Sequence, residues 1–341
     1  MARDLTFSAV VCDEFGGPEV MKVQSKTLPA PGPGELRVRI GAAGINPSDT
    51  YSRLGPAGPY AGTKLLPEPP FTPGKDGAGV VESVGAGCRF SVGDRVYLYG
   101  SITGTYAEYA LCKEAQAFPM PSNVSASQGA CMGVPGTTAY RALMQRCQAK
   151  SGEAVLVHGA SGAVGLAAVQ LARAAGCTVI GTAGTPAGME AVRAAGANGV
   201  VCHKEDGYLQ KAKSLSPGGA GFNVCLEMMA SSNLASDLTV MALCGRVGII
   251  GSKAATIPIN PRAAMPLELN IMGVFAGNAS AEEVTEAHAQ LYKALESGAL
   301  KPVVSMRLPL EEAGKGHVEV MTPSAGGATG NIVLAVTDEE I

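Results

Sequence analysis

Two different rhythms of apolar and polar residues divide this chain. In the first, short apolar or alternating runs recur at residues 9–12, 20–23, 36–40, 79–84, 95–99 and 106–111. Turn-forming stretches separate them: Gly16-Gly17-Pro18, Pro31-Gly32-Pro33-Gly34, Gly85-Ala86-Gly87 and Val92-Gly93-Asp94. Strands this short, with turns this regular, predict a small barrel or sandwich. A Pro/Gly-rich stretch at residues 53–73 interrupts the pattern and reads as a long loop, of the kind that serves either as a binding loop or as a plain excursion.

From Ser125 the rhythm changes to alternating helix and strand. Helices are predicted at residues 125–132 and 137–148, and a strand at 154–157. A glycine turn follows at 159–165, then an alanine-rich helix to Ala175 stopped by Gly176, and a second strand at 178–180. Further strands are expected at 199–202, 222–227, 245–251 and 269–274, with helices at 187–195, 207–214 and 234–243 between them. This alternation predicts a doubly wound parallel sheet. Beyond it, Val284, Ala287, Leu291 and Leu295 mark one face of a helix at 281–297, and strands at 303–308 and 331–336 return to the β-rich part. The expectation is an α/β protein in which residues 129–275 form a dinucleotide-binding domain, inserted between 1–128 and the returning segment 276–341.

Composition adds exclusions. The net charge of −3 comes with no basic block, so neither nucleic acid nor an anionic membrane is an expected partner. The nine cysteines are scattered, odd in number and without a C-x-x-C, which predicts a reducing, cytoplasmic setting. The charged start of the chain gives no signal peptide, and no apolar run is long enough to span a membrane.

The chemistry concentrates in Gly159-Ala160-Ser161-Gly162-Ala163-Val164-Gly165. A helix N-terminus with free backbone N–H groups attracts a pyrophosphate, and glycine lets the phosphate approach. About twenty residues on, where an acid would grip the ribose of NAD, the chain reads Gly181-Thr182-Ala183-Gly184-Thr185. The absence of an acid leaves room for a 2′-phosphate, with Thr185 and Lys204 as its candidate contacts. The other reading is a pocket permissive for both cofactors.

Together the segments FGGPEV (15–20), GINPSDTY (44–51), PGKDGAGVVESVG (73–85), GDRV (93–96), GTYAEYA (104–110), TAYRAL (138–143), VLVHGASGAVGLAA (155–168), GTAGT (181–185), INPR (259–262) and GATGNIVL (327–334) resemble the medium-chain dehydrogenase/reductase superfamily, and within it the zinc-free, zeta-crystallin-like quinone oxidoreductases. The resemblance implies a GroES-like β-rich catalytic domain, an inserted Rossmann domain, and a homodimer or homotetramer built through the Rossmann sheets. It implies NADPH as cofactor, held by Tyr51, Ser161, Gly162, Ala163, Val164, Gly184, His203, Asn233, Ile250, Gly251, Ser252, Lys253, Val274, Phe275 and Ala276. Asn331 is the last candidate contact; it stands where the family usually has Lys or Arg. Ala163 replaces the family's middle glycine in the turn.

Zinc-using relatives place a cysteine at the Asn46 position and a His-Glu pair at Lys75-Asp76, so no metal site is expected. Tyr51, Asn46 and Asp49 are the candidates for the substrate pocket. Their plain alternatives are a packed loop tyrosine and turn-formers in Asn-Pro-Ser-Asp. Lys75 and Asp76 could simply pair with each other, and Tyr60 is a further candidate for the pocket wall. His158 reads as a structural hydrogen-bonder. Hydride transfer needs orientation and a dry pocket rather than a protein nucleophile. The expected substrate is a quinone or an enone, and the rival reading is a cofactor-binding structural or RNA-binding protein with little turnover.

Overall fold

A computed structural model describes residues 4–337. Contacts divide the chain into two compact units. One runs to Val134 and resumes over Pro302–Ser324 and from Asn331; the other comprises Pro135–Lys301 and Ala325–Gly330.

The first unit begins with the antiparallel hairpin β1 (Leu5–Cys12) and β2 (Met21–Leu28). Strand β3 (Glu35–Ile45) leads directly into helix α1 (Pro47–Leu54). Strands β4 (Asp76–Val84), β5 (Arg95–Tyr99), β6 (Tyr109–Lys113) and β7 (Ala117–Pro119) follow, then the one-turn helix α2 (Ala126–Gly129). The expected loop at Asn46–Tyr51 is thus a helix. Asn46 is its N-cap, Pro47 occupies the first helical position, and Asp49 Oδ2 accepts from the Asn46 N–H at 2.9 Å. Each of these favours a helix start, so the signal read as a turn was a capping box.

The second unit opens with α3 (Thr137–Tyr140), continued by a wider-wound turn to Arg146. Then come β8 (Ala154–Val157), α4 (Ala163–Ala174), β9 (Thr178–Ala183), α5 (Pro186–Ala194), β10 (Gly199–Cys202) and α6 (Tyr208–Ser214). The second half is β11 (Phe222–Glu227), α7 (Ala230–Asp237), β12 (Met241–Ile249), α8 (Pro261–Ala264), β13 (Asn270–Gly273) and α9 (Ala281–Glu296). The six strands are parallel in the order β10-β9-β8-β11-β12-β13, which reverses between β8 and β11. Ligands of such sheets bind beyond the carboxyl ends of the strands at that reversal. Leu156, Ile180, Val201, Phe222 and Val247 form its core.

One expected helix, 234–243, is corrected. Helix α7 starts earlier, at Ala230, and ends at Asp237; Met241 already pairs with Phe222 of β11. Strand pairing overrides the helical propensity of that Leu/Ala-rich stretch.

The chain returns to the first unit with β14 (Val304–Pro309), α10 (Ala313–Met321) and β15 (Asn331–Ala335). These complete a sheet ordered β14-β15-β3-β4-β5-β7, with β6 paired to β3, around Val38, Ile40, Leu98, Tyr106 and Leu334. The division differs from the expected boundaries at 128 and 275. Helix α9 belongs to the second unit, where His288 and Glu286 bond Thr137 and Tyr140 of α3. Helix α10 was not anticipated. All nine cysteines are free. Among the described residues no helix is long and apolar enough to cross a membrane.

Candidate active site

The glycine turn connects β8 to α4 as the sequence pattern requires. Gly162 is the N-cap and Ala163 the first helical residue, so Ala163 and Val164 carry N–H groups without intrahelical partners. A Cβ at Gly162 would meet nothing closer than 3.5 Å, an ordinary van der Waals contact. A Cβ at Gly165 would collide with the Gly159 carbonyl oxygen and lie 2.6 Å from Ala160 Cα. That glycine allows the helix to pack on the strand. Ser161 is buried, and its hydroxyl donates to the Ala328 carbonyl at 2.7 Å while its own carbonyl accepts from Gly330 N at 2.7 Å. Its hydroxyl proton is therefore committed to the protein and is not free to donate to a cofactor phosphate.

At the ends of β9 and β10, Gly184, His203 and Lys204 come together. A Cβ on Gly184 would sit 2.6 Å from His203 Nε2 and 3.1 Å from Lys204 Cε. Thr185 caps α5, its Oγ1 accepting from Gly188 N at 3.0 Å, which leaves its hydroxyl proton free to donate. Of the carboxylates nearby in sequence, Glu190 pairs with Arg193 at 3.3 Å and Glu205 with Lys211 at 3.1 Å. Burial, then the charges of His158 and Lys204, lower the His203 pKa.

The strand-end segments expected to line the cofactor site are also at the carboxyl edge. Ile250 N and Gly251 N both reach the Glu227 carbonyl, at 2.8 and 3.3 Å, and Lys253 N donates to Ser231 Oγ at 3.3 Å. Ser252 is exposed, its hydroxyl donating to the Ala254 carbonyl at 2.8 Å. Val274 is buried, with Phe275 exposed and Ala276 opening a short turn after it.

Two candidates have side-chain amides bonded within the protein. Asn233, just before the helix expected at 234–243, is instead the fourth residue of α7, and both ends of its amide are bound, Nδ2 to Glu227 Oε1 (3.3 Å) and Oδ1 by the Tyr208 hydroxyl (3.2 Å). Asn331 is buried in β15, and its N and Nδ2 both donate to the Val303 carbonyl, at 2.8 and 3.0 Å. Sheet geometry thus engages its amide nitrogen.

Beneath the turn lies a cluster that sequence reasoning missed except for His158. His158 Nε2 is 2.8 Å from Asp237 Oδ1 and 3.7 Å from Glu227 Oε2, and Cys225 Sγ completes a buried group whose ligand-type atoms lie within 4.8 Å of one another. Met229 N donates to Glu227 Oε1. Burial, and the neighbouring Asp237 carboxyl, push the Glu227 carboxyl up to about 7 against the opposing charge of His158. For His158, burial lowers the pKa, but the bond to Asp237 and the two carboxylate charges outweigh it and the net shift is upward.

In the first unit, Asn46, Asp49 and Asp76 form a buried knot. Asn46 Nδ2 donates to Asp76 Oδ2 at 2.8 Å, and Asp76 Oδ1 accepts from Val134 N at 2.8 Å. Burial raises both aspartates, Asp49 to about 6, opposed in part by the Lys75 charge. Asp49 Oδ1 is buried with no hydrogen-bond partner. Lys75 and Asp76 do not pair with each other; Lys75 Nζ donates to the Tyr60 hydroxyl at 3.1 Å. An amide, an ammonium and a carboxyl already bonded to its neighbours do not reproduce the zinc ligands of the metal-using relatives. Tyr51, on α1, is half-buried and meets Tyr60 edge-on at 5.6 Å. Nearby in the same unit is a cavity of about 740 Å³ whose wall includes Asp49, Ser52 and Lys75.

The strand order, the glycine turn and the β-rich partner unit define a medium-chain dehydrogenase/reductase with a nicotinamide dinucleotide site. Residues 32–122 match the alcohol dehydrogenase GroES-like domain, and residues 163–293 match the zinc-binding dehydrogenase domain. A quinone oxidoreductase of Pongo abelii is 44% identical over 96% of this chain and 97% of its own length. The structure of an Escherichia coli quinone oxidoreductase complexed with NADPH superposes with a TM-score of 0.82 at 28% identity, covering 96% of this chain and all of that one. A 2-haloacrylate reductase of a Burkholderia species is 29% identical over 91% of this chain and 94% of its own length. The chain belongs to the quinone oxidoreductase family of that superfamily.

Proposed function

We propose that this oxidoreductase reduces quinones with NADPH in preference to NADH, and does so without zinc. The observation that carries the cofactor choice is Gly184 lying beneath His203 and Lys204, which supply the atoms nearest to a Cβ placed there, with no carboxylate among them. An acid there would repel a 2′-phosphate, whereas a lysine and a free threonine hydroxyl attract one. The Escherichia coli relative crystallised with NADPH supports the same reading.

NADPH supplies the hydride. The residues of this chain bind, orient and exclude water. The N-terminal turn of α4, with Gly162, Ala163 and Val164, takes the pyrophosphate. In the first unit, Tyr51 presents its ring, and Asn46 and Asp49 hold the end of α1 rigid. Asp49 Oδ1, pushed up to about 6 and unpartnered, is the atom on this side able to hold or release a proton as the acceptor is reduced.

A second reading, reduction of an activated carbon–carbon double bond, is favoured by the relative named for 2-haloacrylate. Both acceptors are conjugated to a carbonyl. Initial rates of NADPH and NADH oxidation with quinones, enals and enoates, before and after chelator treatment, test the proposal. Faster turnover with NADH, or activity abolished by chelation and restored by zinc, would overturn it. Assembly through the second unit's sheet into a dimer or tetramer belongs to the same reading and is checked by sedimentation.

A further inference from the structure

Lys75 is half-buried, yet its ammonium has no carboxylate oxygen within 4.0 Å among the described residues. Asp76, its neighbour in sequence, is bonded to Asn46 and Val134. Asp49 Oδ2 takes the Asn46 N–H and the Tyr106 hydroxyl. The Asp49 and Asp76 carboxyls act on Lys75 through charge only, and what touches it directly is aromatic: Nζ donates to the Tyr60 hydroxyl at 3.1 Å and lies 4.8 Å from the centre of the Tyr60 ring. Tyr60 is itself buried and braced edge-on by Tyr51. A cation fixed by a ring and one hydroxyl keeps two of its three N–H donors free. Desolvated positive charge normally finds an anionic partner. The adjoining cavity carries three lysines, Lys26, Lys64 and Lys75, against two acids, Asp49 and Glu68.

We propose that Lys75 is the anion-recognising residue of the acceptor site, and that this enzyme takes conjugated acceptors bearing a carboxylate or comparable anionic oxygen. The inference rests on the reading of the chain as a reductase of conjugated acceptors, and adds the charge of the substrate to it. Tyr60 aligns the ammonium before the acceptor arrives, so little side-chain freedom is lost on binding. The anion itself completes the missing pair, as charge-assisted hydrogen bonds favour.

The test compares 1,4-naphthoquinone with its 2-sulfonate, and 2-naphthoate with 2-naphthamide, on the NADPH-loaded enzyme. For the quinone pair the readout is the ratio of kcat/KM, anionic over neutral. For the naphthyl pair it is the ratio of affinities by fluorescence titration, which needs no turnover. Replacing Lys75→Met should lower both ratios by about tenfold or more, the size expected for one charge-assisted bond. Lys75→Arg should restore much of each ratio, while Lys64→Met, an exposed lysine of the same wall, should change them far less. Ratios unchanged in Lys75→Met, or lowered equally by Lys64→Met, would overturn the proposal. If the parent turns over neither quinone, the reductase reading fails by itself, and the naphthoate-to-naphthamide affinity ratio still decides whether Lys75 recognises an anion.

Discussion

Arg53 and His317 are 264 positions apart in sequence, yet Arg53 Nε donates to His317 Nδ1 at 3.1 Å inside the first unit. That bond sets the tautomer. With Nδ1 accepting, the proton resides on Nε2, which faces the Tyr106 hydroxyl at 3.2 Å. Tyr106 in turn donates to Asp49 Oδ2 at 3.3 Å. A neutral imidazole thus stands at one end of a buried chain whose other end is the cap of α1. Burial and the Arg53 charge together depress His317 to about 3.

The consequence is acid sensitivity. A histidine whose folded pKa lies below its unfolded value stabilises the fold above about pH 6.5, and that contribution drains away as the pH falls toward 3. The loss approaches about 1.4 kcal/mol per pH unit in that window. Glutamine can accept from Arg53 and donate to Tyr106 as the neutral ring does, but does not titrate. We expect His317→Gln to be less stable than the parent near pH 7.5 and to close that gap by pH 5, measured by urea midpoints. A gap independent of pH would show that His317 is not held neutral.

The His158 cluster carries the opposite sign. Glu227 is raised to about 7 and His158 is raised as well, so the stability they contribute is present at low pH and lost as the pH rises through their folded values. Glu227→Gln imitates the protonated carboxyl toward Asp237 and keeps an acceptor for Met229 N and Asn233. The fall in thermal midpoint between about pH 4.5 and pH 7 should shrink in this variant, with His158 leaving a residual slope at higher pH. An undiminished fall would mean that Glu227 is already ionised in the neutral protein.

Two glycines of the turn should separate binding from folding. Gly162 has ordinary space for a Cβ, so Gly162→Asp should fold while setting a negative charge where the pyrophosphate lies. NADPH binding by fluorescence titration should be lost with the melting temperature nearly kept. Gly165→Ala drives a methyl into the Gly159 carbonyl, and an overpacked contact of this kind costs roughly 1–3 kcal/mol. Its melting temperature should fall. Tight NADPH binding by Gly162→Asp would remove the turn from the cofactor site.

Periodicity and glycine punctuation carried most of the fold, because a βαβ unit writes its strand, turn and helix into adjacent residues. All six parallel strands were legible for that reason. The same local logic misled at Asn46–Tyr51, where cap and turn use the same residue types, and at 234–243, where β11 claimed residues with helical propensity. The candidate site was legible where it is contiguous, in the glycine turn and at Gly184-Thr185. It was illegible where it depends on distant partners: Arg53 with His317, His158 with Asp237, and Lys75 with Tyr60 are joined only by tertiary structure. The bonding of Asn331 and Asn233 was illegible for a related reason, since nothing local reveals that a side-chain amide is already bonded.

Cofactor choice offers the sharpest test of the second unit. An acid installed by Gly184→Asp would press its Cβ on His203, so a change in preference could reflect a displaced ring rather than charge. Lys204 is the cleaner probe. It is exposed, no carboxylate lies within 4.0 Å of it among the described residues, and its stem passes over Gly184. A charge-assisted bond to a 2′-phosphate is worth about 1.5–3 kcal/mol, the lower half of which an exposed lysine can supply. Lys204→Ala should therefore weaken NADPH by about tenfold and leave NADH within about twofold, in dissociation constants measured by nicotinamide fluorescence. The difference should narrow as salt is raised, because the lysine is solvent-facing. If both cofactors weaken equally, Lys204 supports the strand end and the preference must come from Thr185 and the missing acid alone.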